Sequence, residues 1–96
     1  MAKNIKQGKK LERYFKGAAN HWRLEVLILL EKHPSLTLEE IIKKLNANEK
    51  TISGHTQRLL TAGLLDKKYK GRSVEHTLSP YGKLFVTFLK KFTKEK

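Results

Sequence analysis

The chain has 96 residues, 39% of them hydrophobic, and no cysteine. That length predicts one small domain, and the apolar content is too high for a disordered chain. Lys and Arg number 21 against 9 Asp and Glu, a formal charge of +12, so a polyanion is the expected partner. The lack of cysteine excludes disulfides, thiolate metal sites and cysteine nucleophiles. It also fits a reducing compartment, and a cytoplasmic location is the expectation.

Residues 1–10 are polar and basic, without the apolar stretch of a signal peptide. They read as a flexible arm, and residues 11–93 as the domain proper. Leu11, Tyr14, Phe15 and Ala18 fall at helical spacing and predict a first helix over 11–18, with Gly17 weakening its end. Asn20 is a good cap for a second helix over 21–33. Trp22, Leu24, Val26, Leu27, Ile28, Leu29 and Leu30 make it apolar nearly all round, which predicts a central position, and Pro34 stops it. The run from Val26 to Leu30 is far too short to cross a bilayer.

Residues 35–37 are too short for a free-standing strand but suit a sheet edge. Thr37 and Glu40 form a capping box for a third helix over 38–45. Asn46-Ala47-Asn48 is a tight polar turn. Asn48 caps a fourth helix over 49–62, and Gly63 supplies its left-handed exit. The period then switches to two, predicting a strand over 64–69, a turn over 70–73 and a return strand over 74–78. Ser79 and Pro80 open a last helix. Along it Tyr81, Leu84, Phe85, Phe88, Leu89 and Phe92 recur at offsets of three and four.

The expected fold is mainly α with a small β-hairpin: a winged helix-turn-helix of five helices and a wing. Three stretches carry a resemblance to a known family. Residues 19–30, with Arg23 leading the apolar run, are similar to the core helix of arsenic-repressor (ArsR) type regulators. Residues 48–55, with Thr51-Ile52-Ser53 and His55, resemble the recognition helix of that family, followed by Leu59 and Ala62-Gly63-Leu64-Leu65. Leu78-Ser79-Pro80-Tyr81-Gly82 resembles the Leu-Thr/Ser-x-x-Gly start of the last helix in multiple-antibiotic-resistance (MarR) type regulators. The resemblance covers residues 11–92. It implies a homodimeric transcriptional regulator, a repressor, that binds double-stranded DNA.

At 100° per residue, Ile52, His55, Thr56, Leu59 and Leu60 of the fourth helix point inward or sideways. Lys50, Ser53, Gly54 and Gln57 are expected in the major groove, with Gln57 suited to an adenine edge. Thr51 and Arg58 are expected to hold phosphates. Thr56 stands where the family usually has leucine, and its hydroxyl is expected to bond back to the helix backbone. Lys67, Lys68, Lys70 and Arg72 cluster around the hairpin. Of these, Lys68, Lys70 and Arg72 are the chosen wing contacts, with Arg72 at the tip aimed at the minor groove.

The aromatic stripe of Phe85, Phe88, Leu89 and Phe92 is long for a domain this small. With Tyr14, Phe15 and Trp22 it is expected to form a two-fold seam, because the first and last helices pair in the resembling families. Metal sensors among those families use cysteines, or carboxylates and histidines on the last helix. This chain has no cysteine, and residues 80–93 hold no His, Asp or Glu. No metal, cofactor or membrane partner is expected, and no small-molecule effector is assigned. No Ser-His-acid set, phosphate-binding glycine loop or carboxylate pair is present, so the chain is not read as an enzyme. Two alternatives stand beside the regulator: a winged helix used as a protein-interaction module, and a sequence-blind nucleic-acid binder.

Overall fold

The computed structural model describes residues 2–94, with the side chains of residues 7–94. Along the chain run α1 (Ala2–Ala18), α2 (His21–Lys32), β1 (Leu36–Thr37), α3 (Leu38–Leu45), α4 (Glu49–Ala62), β2 (Leu65–Lys70), β3 (Ser73–Leu78) and α5 (Pro80–Lys94). The strands form one antiparallel sheet in the order β1-β3-β2.

The first helix is longer than expected. Residues 2–10, read from sequence as a flexible arm, continue α1 toward the N-terminus; Met1 lies outside the described residues. Lys, Gln and Ala are good helix formers and no proline interrupts them, although Gly8 is a poor one. Gly17 does more than weaken the end of α1. A Cβ there would collide with the Ala62 methyl, so the missing side chain lets α1 lie against the end of α4.

The other helix ends follow their caps. The Asn20 carboxamide oxygen accepts from the Trp22 and Arg23 amides at 2.8 and 3.3 Å. Thr37 and Glu40 exchange both bonds of the capping box, at 3.2 and 2.8 Å. Asn46 takes the left-handed conformation (φ 50°) that ends α3, a conformation asparagine tolerates better than most residues. Asn48 then caps α4 through the Thr51 amide at 3.1 Å. Gly63 exits α4 at φ 86°. Helix α3 and helix α4 are thus joined by three residues, the spacing of a helix-turn-helix.

Helix α5 opens on a compact knot. The Ser79 hydroxyl donates to the Gly63 carbonyl at 2.6 Å and accepts from the Gly82 amide at 3.0 Å. The Ser79 amide donates to the Leu64 carbonyl at 3.1 Å. Gly82 is buried, and a Cβ on it would fall on the Leu64 carbonyl oxygen. The Leu-Ser-x-x-Gly pattern therefore has a mechanical reason: serine ties α5 to the exit of α4, and glycine lets the two backbones touch.

Val26, Leu27 and Leu30 of α2 sit at the centre of the core with Ile41, Ile52, Leu59, Leu64, Leu65 and Val86. The central position of α2 is as expected, except that Ile28 stays exposed. β1 is the sheet edge the sequence suggested, paired with β3 through Leu36 opposite His76. β2 and β3 form the wing, closed by a two-residue turn at Gly71 and Arg72. Gly71 has φ 57°, and a glycine leading such a turn suits the twist of a hairpin.

Candidate nucleic-acid interface

The reading helix α4 is buried on one side only. Ile52, Thr56, Leu59 and Ala62 are buried, while His55 and Leu60 are half-buried. Lys50, Ser53, Gly54, Gln57, Arg58 and Thr61 are exposed, and Thr51 is half-buried in the first turn. The Gln57 amide reaches only Thr61 Oγ1, at 3.4 Å, a weak bond that leaves it available. A Cβ at Gly54 would meet open space, so internal packing does not require glycine there.

Thr56 departs from expectation. Its hydroxyl makes no bond back to the helix; Thr56 Oγ1 and His76 Nδ1 are the buried side-chain polar atoms without a partner among the described residues. Thr56 is 2% exposed and His76 6%. An unpaired buried hydroxyl costs about 1–3 kcal/mol, and an apolar group of the same shape removes that cost. Thr56→Val is therefore expected to stabilise the fold by about 1 kcal/mol. A denaturation midpoint at or below that of the wild type would contradict this.

One arginine holds the reading helix in place. Arg23 Nε donates to His55 Nδ1 at 3.1 Å, while Nη1 donates to the carbonyls of Gly17 at 2.9 Å and Lys16 at 3.2 Å. One guanidinium thus ties the end of α1, the start of α2 and the middle of α4. His55 Nδ1 can accept this bond only in the neutral imidazole. Burial lowers the His55 pKa, and the positive charges of Arg23, Arg58 and His21 lower it further. The sequence marked Arg23 and His55 only by family likeness. Their 32-residue separation gives no local signal of the contact.

The wing has two unlike faces. Lys67 opposite His76 and Tyr69 opposite Val74 share one; Asp66 opposite Thr77, Lys68 opposite Glu75 and Lys70 opposite Ser73 share the other. Lys70 lies 3.9 Å from Glu75, whose carboxylate also accepts from Ser35 at 2.6 Å. Arg72 is exposed at the tip, as are Lys68 and Lys70. Tyr69 is 70% exposed and was not among the residues singled out from sequence.

On the far side, α1 and α5 share a ladder of rings. Tyr14 stacks on Tyr81 at 4.8 Å, and Phe15 meets Phe85 edge-on at 5.3 Å and Phe88 at 6.2 Å. Phe88 adjoins Phe92 at 5.8 Å. Part of the stripe is thereby covered from within the chain, with Phe85 and Leu89 half-buried. Phe15, Phe88 and Phe92 remain 50%, 46% and 69% exposed. Trp22 does not join this ladder. It packs on the core and its described ring neighbour is His21.

Among the described residues no three His, Asp or Glu side chains gather where a metal could sit. No helix among them is long and apolar enough to cross a membrane.

A three-residue turn between α3 and α4, an exposed polar face on α4 and a flanking hairpin define a winged helix-turn-helix of the transcriptional-regulator class. The chain belongs to the MarR family, whose model matches residues 20–70. No curated protein matches the sequence. Among solved structures it is similar to HlyU from Vibrio cholerae N16961, at 26% identity over 91% of this chain and 95% of that one, with a TM-score of 0.81. It shares its fold with the homodimeric winged helix-turn-helix domain of Mb0332 from Mycobacterium bovis, a possible ArsR-family transcriptional regulator. That match has 22% identity, covers 99% of this chain and 89% of the other, and has a TM-score of 0.83. The transcriptional repressor PagR of Bacillus anthracis also shares the fold, at 21% identity over 88% and 98% of the two chains, with a TM-score of 0.80. The ArsR-type likeness fits these neighbours, and both family and neighbours are regulators rather than enzymes.

Proposed function

We propose that this protein is a sequence-specific, double-stranded DNA-binding repressor that acts as a homodimer in the cytoplasm. The exposed polar face of α4, bracketed by the Asn48 cap and the Gly63 exit, carries the reading. Lys50, Ser53, Gly54 and Gln57 enter the major groove, and Thr51 and Arg58 hold phosphates on its walls. Lys68, Lys70 and Arg72 contact the flank from the wing. The exposed remainder of the ring ladder, with Tyr14, Phe15, Phe85, Phe88, Leu89 and Phe92, forms the two-fold seam, because a domain this small rarely leaves so much aromatic surface uncovered. Trp22 contributes less than its sequence position suggested. The homodimeric Mb0332 domain and the repressor PagR support the dimer and the sign of regulation.

Selection of bound duplexes from a random pool tests the reading, and a palindrome with half-sites about one helical turn apart is expected. If each protomer neutralises about three to five phosphates, log affinity falls against log salt with a slope of about −6 to −9. Gln57→Ala is expected to cost about 1–3 kcal/mol at one base position of each half-site. An equal loss on scrambled and selected duplexes would refute base reading by Gln57, and a slope shallower than about −2 would refute the phosphate contacts.

A further inference from the structure

We infer that the inner face of the wing, through Lys67 and Tyr69, is a second reading surface for DNA, resting on the DNA-binding role proposed above. The register places Lys67, Tyr69, Val74 and His76 on one face of the hairpin. That face looks across a cleft of about 300 Å³ at the reading helix. Lys67, Val74 and His76 line one wall, and Ser53, Thr56, Gln57 and Leu60 line the other. Two of those helix residues, Ser53 and Gln57, are among the four proposed above to enter the major groove. A DNA strand that leaves the major groove beside Gln57 therefore meets the inner face of the wing before its outer face.

The outer face has other neighbours. Lys68 borders a separate cleft with Leu30, Glu31, Pro34, Lys83 and Thr87, on the side of α2 and α5. Lys67, in the edge strand, borders both clefts. Lys70 sits beside the Glu75 carboxylate. Among the described residues neither Lys67 nor Lys68 has an acidic partner, so what favours Lys67 for a phosphate is the cleft it shares with the reading helix, which Lys68 does not border.

Tyr69 lies two residues beyond Lys67 toward the tip on the same face. Among the described residues no ring pairs with it, and it is the most exposed of the large apolar side chains. A phenol carried there beside a phosphate anchor has a flat apolar ring and one hydroxyl. The ring can lie along the sugars of a narrow minor groove. The hydroxyl can donate to adenine N3 or thymine O2, whereas the guanine amino group obstructs the same position. Lys67 thus fixes the strand, and Tyr69 favours A·T over G·C next to each half-site.

The test uses the full chain and the duplex recovered by selection, remade with A·T or G·C pairs flanking each half-site. The wild type is expected to favour A·T flanks by roughly 5- to 150-fold, the about 1–3 kcal/mol that one base-pair change in a site costs. Tyr69→Ala removes that preference and keeps the salt slope; Tyr69→Phe keeps the ring and loses the part due to the hydroxyl. Lys67→Ala keeps the preference and makes the slope shallower by about one unit per protomer. Lys68→Ala changes the slope less than Lys67→Ala. The inference is overturned if Tyr69→Ala retains the flank preference, if the wild type has none, or if Lys68→Ala flattens the slope more than Lys67→Ala. In each of those cases the selected core is still bound, so the DNA-binding reading stands. If the wild type retards no duplex at low salt, both fall together.

Discussion

Gly82→Ala is expected to cost about 3 kcal/mol, the upper end of what overpacking usually costs. A Cβ on Gly82 meets the Leu64 carbonyl, which is backbone and cannot swing aside like a side chain. The same carbonyl accepts the Ser79 amide at 3.1 Å, and Ser79 in turn holds Gly63 and Gly82. Relief of the clash must therefore lift the start of α5 and loosen all of these bonds. In a domain of this size the loss corresponds to a fall in melting temperature of roughly 12–24 °C. Gly54→Ala is the matched control. Its Cβ meets open space, and alanine gains about 1 kcal/mol of helix propensity over glycine. Melting curves of the two variants check both. A fall of less than about 4 °C for Gly82→Ala, under 1 kcal/mol, would show that α5 seats without the backbone contact.

Sequence made Gly82 conspicuous only as part of a family-like pattern. Its neighbour across the knot, Leu64, is eighteen positions away in the chain, so the contact that demands glycine had no local trace. The starts of α2, α3 and α4 and the end of α4 were legible because their caps are local. Asn20, Thr37 with Glu40, Asn48 and Gly63 each act within three residues of the end they fix. The start of α1 lies outside the expected helix for a related reason: its first turns lack an apolar stripe, yet lysine and glutamine sustain a helix without one. On α4 the inward set of Ile52, Thr56 and Leu59 came from angular spacing alone, and the opposite face is exposed as expected. What spacing could not supply was the bonding of Thr56, which depends on what faces it. The wing shows the same limit. Alternation puts Lys67 with Tyr69 and Lys68 with Lys70, but which pair looks toward α4 is decided by how the sheet docks on the helices.

Arg23→Ala is expected to cost about 3 kcal/mol, because each of its three bonds has a charged donor and such bonds contribute about 1.5–3 kcal/mol before solvent exposure discounts them. The loss concerns function as well as stability. Arg23 is the polar tie between α1, which carries Phe15 of the proposed seam, and His55 in the middle of the reading helix. Without it, α4 is expected to keep its Ile52 and Leu59 core contacts but lose its fixed tilt, so specific duplex affinity should fall more than affinity for scrambled duplex. Acid offers a second readout. The folded-state pKa of His55 is depressed below 6.5, first by burial and then by Arg23, Arg58 and His21. A depressed histidine contributes its stability above the unfolded value, and that stability is lost as pH falls from about 6.5 through the folded value. His76 behaves alike: burial lowers its pKa most and Lys67 adds to this, while the Leu36 backbone opposes them. The wild type should therefore lose stability as pH falls below about 6.5, with two histidines taking up protons on unfolding. In Arg23→Ala the guanidinium no longer opposes charge on His55, so its pKa should rise toward the unfolded value while that of His76 stays put. Imidazole proton shifts followed by NMR across pH 4–8 resolve the two rings. An unchanged His55 midpoint in the variant would mean that burial, Arg58 and His21 set its titration without Arg23 and that the 3.1 Å bond does not hold the reading helix.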